Sequence, residues 1–79
     1  MEGMDKRMKM KEKCLGCGGR LTYYEYPNIR YIACVDRVIG CEKCDKWVKE
    51  TWNVMLDDEW KNGGRKRLLE RYNEIRGDL

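Results

Sequence analysis

The sequence has no histidine, no phenylalanine and one proline among its 79 residues. Without histidine, a metal site in this chain has to use cysteine thiolates or carboxylates. Long apolar runs are also missing, so no segment has the length of a membrane span. Residues 1–13 carry charges throughout and have no apolar stretch of the kind that signal peptides contain. These absences favour an intracellular, cytoplasmic protein that does not act at a membrane.

A chain of this length forms one domain at most. Such a domain buries only about 60% of its unfolded surface, so it has little apolar stabilisation to draw on. Charged residues make up 39% of the chain, which keeps the core small, although three tryptophans and five tyrosines supply large rings. A structural metal contributes on the order of 10 kcal/mol to domains of this kind, so a metal site is expected.

Four of the five cysteines form two Cys-x-x-Cys pairs, Cys14 with Cys17 and Cys41 with Cys44. Two residues between cysteines let both sulfurs of a turn reach one ion, and two such turns complete a tetrahedral four-thiolate site. The 23 residues between the pairs slightly exceed the usual spacing, which predicts a long hairpin between them. The sequence therefore predicts one structural Zn²⁺ on these four cysteines.

The residues after each pair support this prediction. A positive φ is favoured there, and Gly18 adopts it without steric cost, while Asp45 tolerates it better than most residues. Rubredoxin-like iron centres use similar turns but have Pro and Gly around the second one, where this chain has Glu42 and Lys43. Zinc is therefore preferred over iron. Because four thiolates leave no open coordination position, the chain is not expected to be an enzyme.

The fifth cysteine, Cys34, has two interpretations. Within a strand it is most often a small buried apolar residue. Alternatively, it replaces Cys41 or Cys44 in the metal shell, or it reacts. The odd number of cysteines argues against a secreted disulfide framework and for a reducing compartment.

The expected fold is a small α+β zinc ribbon with a three-stranded antiparallel sheet, two Cys-x-x-Cys turns and a C-terminal helix. Its strands are predicted at residues 20–26, 29–35 and 47–56, where β-branched and aromatic residues alternate with others. A break is predicted at residues 62–64, and a helix at residues 65–76, where apolar residues recur at spacings of three and four. Two parts are expected, a flexible basic arm at residues 1–13 and the zinc-ribbon domain at residues 14–79.

The net charge of +3 is only mildly basic. Four thiolates and one divalent ion lower it by two, to near +1, which is a weak electrostatic signal for nucleic acid. Trp60 follows three acidic residues and suits a protein interface if exposed, although tryptophan in so small a domain is more often core. The residues predicted to contact nucleic acid or a partner are Lys9, Lys11, Lys13, Trp60, Arg65, Lys66, Arg67 and Arg71.

The order of these motifs resembles the Lar-like restriction alleviation proteins, small zinc ribbons often encoded by phages and prophages. Residues 14–19 match that family's Cys-Pro-x-Cys-Gly-Gly, and residues 41–45 match its later Cys-x-x-Cys-Gly. Residues 68–76 are similar to its helix, which ends in Ala-x-x-x-Trp-Asn-Arg-Arg. The chain departs from the family at Leu15-Gly16 in place of Pro-x, and at Asp45 and Tyr72 in place of Gly and Trp.

This resemblance implies a phage-type accessory protein that modulates a host defence such as restriction–modification. The first hypothesis is therefore a structural-zinc interaction module that binds a host protein. The alternative is a zinc ribbon that binds nucleic acid, as a regulator of transcription or translation, through its basic arm and the start of its last helix. Fold analogy alone does not decide between them.

Overall fold

The computed structural model describes residues 7–77, in which four strands precede a series of helical segments. The strands are β1 (Met8–Lys13), β2 (Arg20–Pro27), β3 (Cys34–Cys41) and β4 (Lys46–Asn53). The helical segments are a 3-10 turn (Val54–Leu56), the short helix α1 (Asp57–Glu59), a π-helical turn (Trp60–Gly64) and α2 (Arg65–Gly77). The small α+β class with an antiparallel sheet and a C-terminal helix is confirmed, but the predicted count of three strands is wrong, because the sheet has four in the order β1-β2-β3-β4.

The additional strand is β1, which lies in the segment predicted to be a flexible arm. It pairs antiparallel with β2, where Met8 lies opposite Tyr23 and Lys13 opposite Arg20. Its side chains alternate: Met10 is buried in the core, while the lysines on either side of it are exposed. An alternation of period two is a strand signal, even though the exposed half of this strand is strongly basic. Residues 1–6 of the predicted arm lie outside the described residues.

The second strand lies later in the chain than predicted, because residues 29–33, which are apolar except for Arg30, form a loop. The Asn28 side-chain oxygen accepts hydrogen bonds from the backbone N–H groups of Arg30 and Tyr31, at 2.8 and 2.9 Å. Its amide group donates to the buried carboxylate of Asp36 at 3.0 Å. Asparagine closes turns in this way, so the chain turns where hydropathy predicted a strand.

The helical region begins earlier than the predicted helix at residues 65–76. The predicted third strand ends at Asn53, whose side chain accepts a hydrogen bond from the N–H of Met55 and starts the 3-10 turn. The predicted break at residues 62–64 is wrong, since these residues belong to the π-helical turn. Gly64 is needed there because a Cβ atom at this position would lie 2.5 Å from the Trp52 ring. The helix itself is confirmed as α2.

The core lies between one face of the sheet and the helical region. Its buried members are Met10, Cys14, Leu21, Ile39, Cys41, Val48, Trp60, Leu68 and Tyr72. The buried guanidinium of Arg37 pairs with Glu25 at 3.2 Å and Asp57 at 3.1 Å, and it stacks 4.8 Å from the centre of the Trp60 ring. No helix within residues 7–77 is long and apolar enough to cross a membrane.

The two ends of the sheet differ in character. Both Cys-x-x-Cys turns lie at one end, between β1 and β2 and between β3 and β4. The loop between β2 and β3 and the 3-10 turn lie at the other end, where the N–H of Val54 donates to the carbonyl of Ala33 at 2.9 Å. An antiparallel meander produces this separation, because alternate connections fall at opposite ends.

Candidate metal centre

The two cysteine turns have the same backbone geometry. In the first, the N–H of Gly18 donates to the carbonyl of Cys14 at 2.8 Å; in the second, the N–H of Asp45 donates to the carbonyl of Cys41 at 2.8 Å. Gly18 has φ 78° and Asp45 has φ 56°, so the positive φ predicted after each pair is confirmed. Equivalent turns direct their cysteines toward a common point.

The four sulfurs meet with spacings that suit a metal ion. Every pair lies within 4.8 Å, with Cys14 Sγ 3.8 Å from Cys44 Sγ and Cys17 Sγ 3.5 Å from Cys41 Sγ. A tetrahedral ion with metal–sulfur bonds of 2.3 Å needs sulfur–sulfur distances of about 3.8 Å. All five cysteines are free thiols. The predicted four cysteines are thus brought together, and they fit a single metal ion.

Burial is uneven around the cluster. Cys14 and Cys41 are 1% and 2% exposed and belong to the core, whereas Cys17 is exposed at the surface. The N–H of Cys44 also lies 3.4 Å from Cys41 Sγ, as backbone donors do around thiolates. One side of the cluster is therefore built into the core, while the other is accessible to an entering ion.

Tyr72 contacts the cysteine cluster, and sequence reasoning missed this contact. Its side chain is fully buried, and its hydroxyl lies 3.2 Å from Cys14 Sγ, 58 positions earlier in the chain. Tyr72 lies on the apolar stripe of α2, four residues after Leu68, and this position predicts that its ring is buried. Because a buried tyrosine hydroxyl normally has a hydrogen-bond partner, the same position could have indicated a polar contact in the core. Groups that hydrogen bond to a ligand orient it and tune the metal.

These contacts change the acidity of the groups in the cluster before a metal binds. Burial raises the pKa of Cys14, but hydrogen bonds from Tyr72 and from the N–H groups of Cys17 and Gly16 outweigh it and lower the pKa to about 6. Hydrogen bonding to the Cys14 and Cys41 sulfurs raises the pKa of Cys44 to about 12. Burial, followed by the Cys14 contact, raises the pKa of Tyr72, which keeps its proton on the hydroxyl. Tyr72 is therefore the donor and Cys14 the acceptor.

Cys34 is not part of the cluster. It is half-buried at the start of β3, opposite Asn53 of β4, at the far end of the sheet from the cysteine turns. The prediction of a small buried apolar residue is met only in part, because Cys34 is half-buried, and it does not replace Cys41 or Cys44, which both belong to the cluster.

The residues predicted to contact a partner fall into two groups on opposite sides of the sheet. Lys9, Lys11 and Lys13 are exposed along β1 and alternate with Met10 and Glu12, which face the helical side. The remaining cations of the set, Arg65, Lys66, Arg67 and Arg71, belong to α2. The two groups come together where Arg65 of α2 pairs with Glu12, beside a pocket that Lys9 and Lys11 also line.

Several cations of the helix already have partners. Arg65 pairs with Glu12 and Arg71 pairs with Glu50, each at 3.3 Å, and the Arg67 guanidinium lies 5.7 Å from the Trp52 ring centre. Trp60 is 5% exposed and stacks against Tyr23, so it is a core residue and offers no surface for a partner. This burial removes Trp60 from the predicted contact residues.

The fold and the site together define a small α+β domain with a four-cysteine cluster able to hold a metal ion. Comparisons of the chain with protein-family models, with curated proteins and with solved structures find no match. The resemblance to the Lar-like family therefore stays a prediction that depends on the motifs themselves.

Proposed function

We propose that the chain is a zinc-stabilised interaction module that binds a protein partner through the apolar end of its sheet. The apolar end consists of six exposed residues on the β2–β3 loop and the 3-10 turn. They are Ile29, Tyr31, Ile32, Val54, Met55 and Leu56. The observation that carries the proposal is the exposure of Ile29 at 98%, Ile32 at 101% and Met55 at 85%.

The area of this surface is large for so small a domain. Burial of one large apolar side chain removes roughly 60–120 Å² from water, so six of them represent roughly 400–700 Å². The largest apolar patch on a typical monomer is about 300–600 Å² and is often functional, and one side of a standard interface buries about 800 Å². The apolar end thus supplies most of what one protein interface requires.

The loop that carries these side chains is held in place by hydrogen bonds. The N–H of Asn28 donates to the carbonyl of Cys34 at 3.1 Å, and the N–H of Cys34 donates to the carbonyl of Tyr31 at 3.0 Å. Asp36, which is 5% exposed, fixes Asn28 from below and also accepts a hydrogen bond from Thr51. A surface that is ordered before binding loses less conformational entropy on binding, which favours recognition.

A groove of about 600 Å³ runs between the two parts of the apolar end, with Ile32 and Val54 on its walls. The half-exposed carboxylates of Glu25 and Asp57 lie at the same groove, and Arg37 neutralises part of their charge. We infer that the partner inserts apolar side chains here. The Lar-like resemblance suggests a host protein as the partner, such as a defence or restriction–modification enzyme.

Within this proposal the metal has a structural role. Four thiolates would fill a tetrahedral shell, and sulfur ligands in this geometry favour zinc. The metal stabilises the sheet at the end where the cysteine turns lie, and the apolar end at the opposite side contacts the partner. Because the cluster needs free thiols, a reducing intracellular compartment is the expected setting.

In the test, the tagged protein is used to capture its partner from host lysate that has been treated with nuclease. The affinity of the purified partner is then measured for the unmodified protein and for variants. The variant Ile29→Asp with Ile32→Asp is expected to lose at least about 2 kcal/mol of binding free energy, which is about 30-fold in affinity. Leu15→Asp is the matched control, because Leu15 is 77% exposed at the metal end. Unchanged affinity in the double variant would contradict the proposal.

A second copy of the chain is the other candidate to bind the apolar end. Light scattering of the purified protein tests this by measuring its oligomeric state. A dimer that both isoleucine substitutions abolish would replace the partner proposal with self-association. A monomer that binds the purified partner through the apolar end supports it.

A further inference from the structure

The face of the sheet that points away from the helical region carries three rings in contact. On that face Thr22, Gly40 and Trp47 lie side by side on β2, β3 and β4, and Tyr24, Val38 and Lys49 form the next row. Here this surface is called the open face. Within residues 7–77 the helical segments pack on the other side, against residues such as Ile39 and Val48.

The rings of the open face are Tyr24, Tyr26 and Trp47, all half-buried. Tyr24 and Tyr26 stack with ring centres 6.0 Å apart and planes inclined by 24°, and Tyr24 meets the edge of Trp47 at 5.9 Å. Gly40 makes this arrangement possible, because a Cβ atom there would collide with the Trp47 ring. The three rings thus form a continuous aromatic surface across three strands.

One cation, Arg7, lies over two of these rings, and further cations surround them. The Arg7 guanidinium lies 4.8 Å from the centre of the Tyr24 ring and 5.7 Å from that of Trp47. By register and alternation, the cations of the open face are Arg7, Lys9, Lys11, Lys13, Arg20 and Lys49. The carboxylates at this face are Asp36, which is buried, and Glu42 and Asp45 in the second cysteine turn. Six cations against three carboxylates give the open face a positive charge that the net charge of the chain does not reveal.

Two of these cations already converge on an anionic group. One oxygen of Glu42 accepts a hydrogen bond from Arg7 Nη1 at 3.0 Å, and the other lies 3.5 Å from Lys9 Nζ. All three side chains are about half-exposed, so a phosphate can compete for the same cations.

We propose that the open face binds single-stranded nucleic acid, with bases stacked on Tyr24, Tyr26 and Trp47 and phosphates on the surrounding cations. Aromatic platforms flanked by cations bind single strands in this way, since every base offers a flat face. A duplex hides those faces, so single strands are expected to bind more tightly than the same sequence in a duplex. The open face adjoins the apolar end at Tyr26, which also lines the groove there, but the inference does not depend on the proposed protein partner.

The first experiment uses the unmodified, metal-loaded protein and a labelled oligothymidylate of about 12 nucleotides, within the range of known single-strand sites. In NMR spectra the indole N–H of Trp47 is expected to shift on titration, together with the backbone N–H signals of Tyr24 and Tyr26. Trp52 and Trp60 are internal controls because they lie on the helical side. Shifts confined to the controls, or no shift at low salt, would overturn the proposal.

The second experiment compares affinities by fluorescence anisotropy. Tyr24→Ala is expected to weaken binding by about 5- to 150-fold, the usual effect of removing one stacking ring. Tyr31→Ala, in the apolar end, is the matched control and should leave the affinity unchanged. If the metal content and fold of Tyr24→Ala are intact and its affinity is also unchanged, the stacking platform is ruled out.

The charges are tested in the same assay. Lys49→Gln should make the logarithmic salt dependence of binding less steep by about 0.7, the value for one phosphate contact on a single strand, whereas Lys66→Gln on α2 should not. Glu42→Gln is expected to bind more tightly, because it releases Arg7 and Lys9 from an internal competitor. A gain in affinity cannot arise from loss of folding, so a weaker or unchanged Glu42→Gln variant counts against the proposal.

Discussion

Tyr72 shows how one residue can connect two parts of the molecule. It is a core residue of α2 by its ring and a metal-site residue by its hydroxyl, which reaches Cys14 Sγ. A phenylalanine would fill the same volume but would leave the sulfur without this donor. The hydroxyl is therefore expected to affect the metal affinity, and the ring to affect the stability of the fold.

We expect Tyr72→Phe to remain folded but to bind its metal about 10- to 100-fold more weakly, as is usual when a hydrogen bond to a ligand is lost. The measurement is competition with a chromophoric chelator at fixed pH. Tyr31→Phe is the matched control, because the Tyr31 side chain is 59% exposed at the opposite end of the sheet. Equal metal affinities for Tyr72→Phe and the unmodified protein would show that the contact has no effect on the ion.

At the residue scale the sequence predicted the local chemistry of the site well. Spacing identified all four clustered cysteines, and backbone preference identified the positive φ of Gly18 and Asp45. The contact of Tyr72 was missed because it joins positions far apart in the chain. The interface role considered for Trp60 also failed, because nothing local to Trp60 indicates that Arg37 and Tyr23 cover its ring.

Among the elements of the fold, the helix was predicted correctly but the second strand was misplaced. The difference arises because the position of that strand depends on contacts between residues far apart in the chain. The position of α2 was predicted correctly because its apolar stripe is a local pattern. The second strand was predicted at the mostly apolar residues 29–35, whereas β3 contains Asp36 and Arg37, both of which are buried. Their burial depends on partners elsewhere, such as Thr51 for Asp36 and Asp57 for Arg37. Hydropathy alone treats such residues as exposed.

Two neighbouring glycines in the π-helical turn, Gly63 and Gly64, allow its packing against the tryptophan rings to be tested. A Cβ atom at Gly63 has nothing within 4 Å, whereas one at Gly64 would lie 2.5 Å from Trp52 and 3.0 Å from Trp60. We expect Gly63→Ala to raise the free energy of unfolding by about 0.5–1 kcal/mol, the usual gain within a helix. Gly64→Ala should lower it by about 1–3 kcal/mol, because the ring and the helix would be forced apart.

Urea unfolding of the metal-loaded proteins measures both effects, and each variant is the control for the other. If both substitutions stabilised the protein, the close packing of the π-helical turn against Trp52 would be contradicted.

For the whole molecule, folding and metal binding are expected to be one equilibrium. Structural zinc contributes about 10–16 kcal/mol in zinc-finger peptides, which is comparable to the full stability of a domain. Within this chain the cluster joins the β1–β2 turn to the β3–β4 turn, and Cys14 and Cys41 are also core residues. Loss of the ion therefore removes a cross-link and disturbs the core at the same time.

We expect Cys17→Ser and Cys44→Ser to lose the metal and to unfold, while Cys34→Ser stays folded and metal-loaded because Cys34 lies outside the cluster. Circular dichroism and metal analysis of the three variants measure this. Acid should also release the ion, since protons compete for the thiolates as pH falls, and restored pH with metal should refold the chain. A folded Cys44→Ser variant without metal would show that the ion is dispensable for the fold.

The order of the strands has a consequence for the speed of folding. Each strand pairs with the one that precedes it in the chain, so every strand pairing closes only a short connection. Folds dominated by such local pairings tend to form quickly. The cysteine pairs meet across separations of 24 and 30 positions, and Tyr72 meets Cys14 across 58. We therefore expect the strand pairings to form before the contact of Tyr72 with Cys14, because that contact closes the longest of these loops.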